Sequence, residues 1–247
     1  DDNQIKIEFE KINEETEKFL SGVDSDFSDF EKVLYTHDYI CKLANYNYDE
    51  YNNFSNDSTN INWRTHKLNG ALIDHVPVCD GYSKAVLYLL NKLDVYSSLV
   101  TSDSMAHAWN IVCLDGYYYH VDSTWDDQNM RGRTSYKYFL MSDIAANNKE
   151  HTDYSAKEYC ENTKYDDSQV WNKTLSYLVY NNDYWYYLTP INTNNNLSLY
   201  TSSIELNKYD FRNNKLVSTK TITDSILTNK INLYDNQYYF LQKFVFL

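Results

Sequence analysis

The chain has 247 residues, 43% of them hydrophobic, so it can bury at least one sizeable core, and its length allows one or two domains. Its formal net charge of −13 is spread along the chain without a cluster of Lys or Arg, which argues against nucleic acid or an anionic lipid surface as a partner. No apolar run approaches the roughly 20 residues that cross a bilayer, so we expect no membrane span.

The first 44 residues are predicted to form two helices. A second helix is predicted over residues 26–44, with Asp26 as its N-cap. His37 and Cys41 share a face of it at a spacing that could hold a metal, but a packed core explains the pair better because no further ligand pair stands nearby. The first helix is predicted from apolar residues and one threonine at helical spacing, expected to lie on a core: Ile5, Phe9, Ile12, Thr16 and Phe19.

A polar stretch and then two further helices are predicted before residue 95. Residues 45–65 are rich in Asn and show no clear period, which predicts a long surface loop. A short helix is predicted over 66–73, and a strongly apolar helix begins near Cys79, just after Pro77. The apolar face of that last helix is formed by Tyr82, Ala85, Val86, Leu89, Leu90 and Leu93.

Three strands are predicted next, over residues 95–101, 106–114 and 117–123. The Asp115-Gly116 pair between the last two predicts a tight hairpin. If its loop has two residues, Leu114 pairs with Tyr117, and His107 and Asp122 become diagonal neighbours on one face of the sheet. A loop of odd length would place these two side chains on opposite faces.

From Tyr165 onward short aromatic runs separated by Asn and Asp predict an all-β tail. Two segments, NNDYWYYLTP (181–190) and YDNQYYFLQK (234–243), resemble each other at a distance of about 50 residues, which is typical of propeller blades. Two copies are too few to close a propeller. The final FVFL lies inside an apolar strand pattern, so we expect the chain to be truncated.

Cys79 stands where a helix begins, and such a position favours a thiolate because unpaired backbone N–H groups and the helix dipole point towards it. With His107 as a base and Asp122 to orient that base, the sequence predicts nucleophilic catalysis. The backbone N–H of Cys79 would be one oxyanion donor. The four cysteines lack the short paired spacings of zinc sites and disulfide frameworks. We expect Cys113 to be structural because it lies near the hairpin turn, and Cys41 and Cys160 because they have no matching partners.

Three motifs together resemble the transglutaminase-like superfamily. VCDGYSKA, AHAWNIV and YHVDSTWDD are similar to the family's cysteine, histidine and aspartate segments, in that order. The resemblance to bacterial members and to kyphoscoliosis-type peptidases extends to YTHDYICKLANYNYD (35–49) and to YKYFLMSD with His151 after it, so it spans residues 30–160. It implies an α+β fold with a papain-like transglutaminase core, in which helices pack on an antiparallel sheet, and we assign this core to residues 1–164. The strand pattern after it predicts a smaller all-β domain over 165–247.

The resemblance also implies roles for individual residues. Cys79 would be the nucleophile, His107 the general base and acid, and Asp122 the carboxylate that orients the imidazole. Trp109 and Trp125 would form walls that exclude water from this triad, or would be ordinary core aromatics.

The second oxyanion donor is less well defined. Family members often carry an aromatic residue ten positions before the cysteine, where this chain has Asn69. The amide of Asn69 can donate to an oxyanion, but it could equally be a surface residue of the short helix, and Trp63 and His66 are rival candidates.

The expected function is cysteine-dependent acyl transfer on protein or peptide amides through a thioester, without a metal or an organic cofactor. Water as the acceptor makes a peptidase or deamidase, whereas a lysine amine makes a transglutaminase, and no residue pattern selects between them. The alternative is a non-catalytic surface binding module whose aromatic tail grips glycan or peptide. We expect a bacterial protein that is secreted or attached to the cell surface, with a protein or peptide substrate at the surface or the cell wall.

Overall fold

The computed structural model describes residues 2–56, 61–128, 133–167, 170, 174, 176–191, 203–223, 231–234 and 237–240. The chain divides into two compact units, the first comprising residues 1–129 and 136–167, and the second 130–135 and 168–247. The sequence predicted a boundary between residues 164 and 165, and the assignment of two separate domains stays a prediction.

Seven helices and twelve strands lie in the described part of the chain. The helices are α1 (Asp2–Leu20), α2 (Asp29–Leu43), α3 (Tyr48–Asn56), α4 (Leu68–Leu72), α5 (Cys79–Lys92), α6 (Ser123–Asp126) and α7 (Asp143–Asn148). The strands are β1 (Ser97–Ser102), β2 (His107–Leu114), β3 (Tyr117–Val121), β4 (Asp127–Gln128), β5 (Arg133–Thr134), β6 (Phe139–Met141), β7 (Val179–Asn181), β8 (Tyr184–Pro190), β9 (Ser203–Asp210), β10 (Lys215–Thr223), β11 (Ile231–Tyr234) and β12 (Gln237–Phe240). This mixture of helices and antiparallel sheets agrees with the predicted α+β class, whereas the all-β C-terminal domain stays a prediction.

The first two helices differ from the prediction at their beginnings. Thr16 and Phe19 of α1 are buried as expected, but Ile5 is 67% and Phe9 is 62% exposed, so the first half of the predicted stripe does not lie on the described core of this unit. Helix α2 is capped by Ser28 and not by Asp26. The Ser28 side chain accepts from the backbone N–H of the third helical residue, whose carboxylate accepts from the Ser28 N–H, and this capping box fixes the start of the helix.

The predicted loop over residues 45–65 contains a helix, α3, so that prediction was wrong for its middle part. The cause is local, because the side chain of Asn47 accepts a hydrogen bond from the backbone N–H of Glu50 and thereby caps the new helix. The buried carboxylate of Glu50 then accepts from the backbone N–H of Asn62.

The segment that precedes Cys79 is fixed by the backbone on two sides. The N–H groups of Asn45 and Asn47 donate to the carbonyl oxygens of His75 and Pro77 at 2.9 and 3.0 Å. The N–H of Val78 donates to Thr65 at 3.1 Å. In the first turn of α5, Gly81 lies so close to the Thr65 carbonyl that no larger side chain would fit without movement. These contacts place the first turn of α5 firmly.

The central sheet of the first unit has the order β1-β2-β3-β6 and is antiparallel. Helix α5 packs against β1 and β2. Leu114 pairs with Tyr117, as predicted for a two-residue loop, and Asp115 and Gly116 take the positive φ values of 53° and 80° that such a tight turn requires. The register prediction is therefore confirmed.

The second unit contains a four-stranded antiparallel sheet in the order β10-β9-β8-β7 and a separate β11-β12 hairpin. The two similar segments of the sequence correspond to hairpins with the same pairing, β7 with β8 and β11 with β12. Residues 241–247, including the final FVFL, lie outside the described residues.

In the part of the chain that the structure describes, no helix combines the length and the apolar character needed to cross a membrane.

Candidate active site

Cys79 is the first residue of α5 and is partly exposed. Its thiol lies against the beginning of β2, with Sγ 3.9 Å from the carbonyl oxygen of Ala106. The backbone N–H of a first helical residue has no partner within its own helix, and the helix dipole places partial positive charge at this end. Both features favour a negative charge on the sulfur, as the sequence led us to expect.

His107 is the first residue of β2 and its ring faces both Cys79 and Asp122. Nε2 lies 2.7 Å from Oδ2 of Asp122, and because a carboxylate cannot donate, Nε2 carries the proton of this hydrogen bond. Nδ1 is therefore the nitrogen left to interact with the thiol of Cys79. The imidazole lies nearly parallel to two indoles, with ring centroids 4.9 Å from Trp125 and 5.6 Å from Trp109.

The environment of His107 favours the imidazolium. Burial of the ring opposes the charge, but the negative charge and hydrogen bond of Asp122, with a smaller effect of Cys79, outweigh burial and raise the pKa of His107 to about 9. At neutral pH a cationic ring therefore stands beside the sulfur. Such a neighbour stabilises a thiolate and holds a proton ready for a leaving group.

Asp122 is fully buried and all of its hydrogen bonds serve to fix it. It is the N-cap of α6, where Oδ1 accepts from the backbone N–H groups of Thr124 and Trp125 at 2.9 and 3.1 Å. Oδ2 accepts from His107 and also from Nε2 of His151, at 2.9 Å. Burial alone would raise the pKa of Asp122, but the two histidines lower it well below its usual range, so the carboxylate stays ionised.

The short helix α6 is in turn held by α2. Nε2 of His37 lies 3.2 Å from Asp126, and the thiol of Cys41 donates to the carbonyl oxygen of Ser123 at 3.4 Å. The side chains of His37 and Cys41 are buried, in keeping with their interpretation as core residues. They fix the turn that follows Asp122 and so contribute to its position.

The structure brings Cys79, His107 and Asp122 together, and both predicted tryptophans lie against the His107 ring. Asn69 is different: its side-chain amide donates to Glu8 of α1 at 2.7 Å, a contact that argues against its predicted role as an oxyanion donor. The catalytic roles of all these residues stay predictions.

The two rival donors lie together beside the first turn of α5. Trp63 is 59% exposed and its ring lies 5.5 Å from that of His66. His66 in turn lies 3.0 Å from the carboxylate of Asp80, the residue that follows Cys79. The ring of His66 therefore faces Asp80.

Tyr46 lies near the segment that precedes Cys79, and the sequence reasoning did not single it out. It lies between the two backbone contacts that join residues 45 and 47 to the segment before Cys79. Its ring stacks on that of Tyr82 at 6.3 Å. Burial raises the pKa of Tyr46, and the electrostatic effect of Cys79 raises it further, so the phenol keeps its proton. The only signal in the sequence was its place in the YTHDYICKLANYNYD motif.

Two clusters of the described residues have donor atoms close enough to bind a metal: His107 with Asp122 and His151, and His120 with Asp143 and Cys160. In the second cluster, the indole N–H of Trp109 donates to Nδ1 of His120, whose Nε2 lies 2.9 Å from Asp143. Hydrogen bonds thus use both nitrogens of His120. In the first cluster they use Nε2 of each histidine.

Comparison with known proteins does not identify a family for this chain. No protein-family model and no curated protein matches the chain. A solved structure titled "Crystal structure of a TGase" aligns with 18% identity and a TM-score of 0.42, over 50% of this chain and 33% of that one. This chain therefore spans about a third of that protein, and so weak a likeness supports no conclusion about function. The site itself has the arrangement of a cysteine–histidine–aspartate triad.

Proposed function

We propose that this chain catalyses cysteine-dependent acyl transfer on protein or peptide amides. The observation that carries the proposal is the position of Cys79 at the start of α5, beside a His107 whose imidazolium is held by the buried Asp122. The three motifs that resemble the transglutaminase-like superfamily contain these same three residues.

The proposed reaction has two halves. The Cys79 thiolate attacks the carbonyl carbon of the amide, and as the C–N bond breaks, His107 gives its proton to the departing amine. A thioester with Cys79 remains. Water or a second amine then attacks the thioester and gives a proton to His107, and the sulfur leaves as a thiolate, which restores the starting ion pair. Asp122 keeps the ring of His107 oriented through both halves.

The oxyanion of each half needs two donors. The backbone N–H of Cys79 is suited to be the first, because charge develops on the carbonyl oxygen as the sulfur attacks. We propose the phenol of Tyr46 as the second, since it stays protonated and its two chain neighbours bond to the segment just before Cys79, while the amide of Asn69 is engaged by Glu8.

Replacing Tyr46 by phenylalanine is expected to lower kcat by a factor of about 100 to 1,000, because one oxyanion donor is lost while the ring remains. Tyr48→Phe is the matched control, since Tyr48 is a neighbouring tyrosine that is 60% exposed. Steady-state kinetics on one peptide substrate compares the two variants. Equal effects of the two substitutions would remove Tyr46 from the oxyanion site.

The reaction is tested by incubating the protein with a peptide library, with and without a labelled primary amine, and analysing the products by mass spectrometry. We expect cleaved or deamidated peptides, or peptides that carry the amine. In Cys79→Ala we expect none of these products. Label on glutamine side chains would identify a transglutaminase. Cleaved or deamidated peptides without the label would identify a hydrolase. If wild type and Cys79→Ala give the same products, the proposal is wrong.

The alternative of a glycan- or peptide-binding tail receives no support from the described part of the second unit. Most aromatic side chains of its central strands are buried, with Trp185 1%, Tyr187 6% and Tyr209 7% exposed, and Tyr184 is partly buried. Packing within the unit accounts for them.

A further inference from the structure

Asp122 is shared by two histidines through a single oxygen atom. Oδ2 lies 2.7 Å from Nε2 of His107 and 2.9 Å from Nε2 of His151. The other oxygen, Oδ1, accepts only from the backbone of α6 among the described contacts. The second ring therefore contacts the same oxygen that orients the proposed catalytic base.

His151 is enclosed by aromatic rings. It is 0% exposed, and its ring centroid lies 4.4 Å from that of Trp125, 4.7 Å from Trp109 and 5.4 Å from Tyr138. Nδ1 has no hydrogen-bond partner among the described residues. A residue that only filled this space would need no polar atom, since a phenylalanine has nearly the same shape and would leave no buried nitrogen unpaired.

The direction of the hydrogen bond follows from the chemistry of the carboxylate. Asp122 is ionised and can only accept, so Nε2 of His151 carries the proton that it donates. The positive end of this N–H dipole points at the oxygen that attracts the proton of His107. A donor placed there stabilises the carboxylate and weakens its attraction for a second proton carrier in a buried site.

We propose that His151 is a positioning residue of the triad: it fixes Oδ2 of Asp122 and takes up part of its negative charge, so that His107 releases its proton more readily than it would beside an unshared carboxylate. The catalytic consequence rests on the proposed acyl transfer, whereas the electrostatic effect on His107 can be measured without any turnover.

The test compares His151→Phe with His151→Gln. Phenylalanine keeps the packing and removes the N–H, whereas the amide nitrogen of glutamine can reach the position of Nε2 and keep the donor. NMR titration of ¹⁵N-histidine-labelled protein gives the pKa of His107 in each variant. We expect His151→Phe to raise the pKa of His107 by roughly half a unit to one unit, and we expect His151→Gln to remain close to wild type. An unchanged or lowered pKa in His151→Phe, or equal shifts in both variants, would overturn the proposal.

A second measurement needs no substitution at His151. In the wild-type protein, the Nε2–H signal of His151 is expected to be protected from exchange and to shift as His107 titrates, because both rings bond to one oxygen. A His151 signal that is protonated at Nδ1 alone, or that ignores the titration of His107, would also overturn the proposal. Repeating both titrations in Cys79→Ala separates this inference from the proposed function, since that variant cannot form a thioester.

Discussion

In the variant His107→Ala, the rate of alkylation of Cys79 by iodoacetamide at pH 6 is expected to fall by a factor of about 10 to 100. At this pH the wild-type ring is an imidazolium, because its pKa is raised to about 9 once Asp122 outweighs the effect of burial. A cation beside a cysteine sulfur favours the thiolate, which is the reactive form. Alanine leaves only the start of α5 to favour that charge, and this effect is smaller.

Cys113 provides an internal control for this experiment. It is also partly exposed, but it lies near the far end of β2 from His107, beside the hairpin turn. Mass spectrometry of the digested protein follows both cysteines in one sample. We expect the modification of Cys113 to be the same in wild type and variant. If Cys79 reacts no faster than Cys113 in the wild-type protein at pH 6, activation of Cys79 is absent and the enzymatic interpretation fails.

The contact between His107 and Asp122 could be predicted because it depends on local rules. An Asp-Gly pair between two β-rich runs predicts a two-residue loop, and the parity of such a loop decides which side chains share a face. The register confirmed this deduction, although β3 ends at Val121 and Asp122 belongs to the cap of α6. The start of α5 at Cys79 was predicted for a similar reason, since an apolar face of helical period begins there.

The parts that could not be predicted depend on contacts between distant residues or on single caps. Nothing in the segment around Asn69, KLNGAL (67–72), indicates that this residue donates to Glu8, which is far away in the sequence. The cap formed by Asn47 starts a helix in a polar stretch that has no period. His151 was noted for its place in a motif, but its bond to Asp122 depends on how the segment after α7 folds back.

One buried carboxylate, that of Asp122, therefore contacts several parts of the site. Asp122 follows the last residue of β3, caps α6 and bonds to two histidines, so its charge is compensated by backbone dipoles on one oxygen and by rings on the other. A buried carboxylate without such partners would be protonated instead. Because the same contacts that stabilise the charge also fix its position, substitutions at this residue should change activity and pH-dependent stability together.

Replacing Asp122 by asparagine is expected to lower turnover by about ten-thousandfold, since the volume is kept while the charge that orients and protonates His107 is lost. Burial is then opposed only by the smaller effect of Cys79, so the pKa of His107 should fall from about 9 towards its ordinary value or below. NMR titration measures that shift, and peptide turnover per folded molecule measures the loss of activity. Asp143→Asn, which disturbs the His120–Asp143 pair, is the control and should keep turnover within a few-fold.

The same substitution should change how stability depends on pH. The pKa of His107 is higher in the folded chain than the ordinary value near 6.5, so its contribution to stability is complete below about pH 6.5 and is lost as the pH rises through about 9. The free energy of unfolding of wild type should therefore exceed that of Asp122→Asn most at pH 6, and the difference should shrink by about 2 kcal/mol at pH 9 to 10. Urea unfolding at the two pH values measures it. A difference that stays constant would mean that Asp122 does not hold a proton on His107, and the ion pair on which the proposed chemistry depends would be absent.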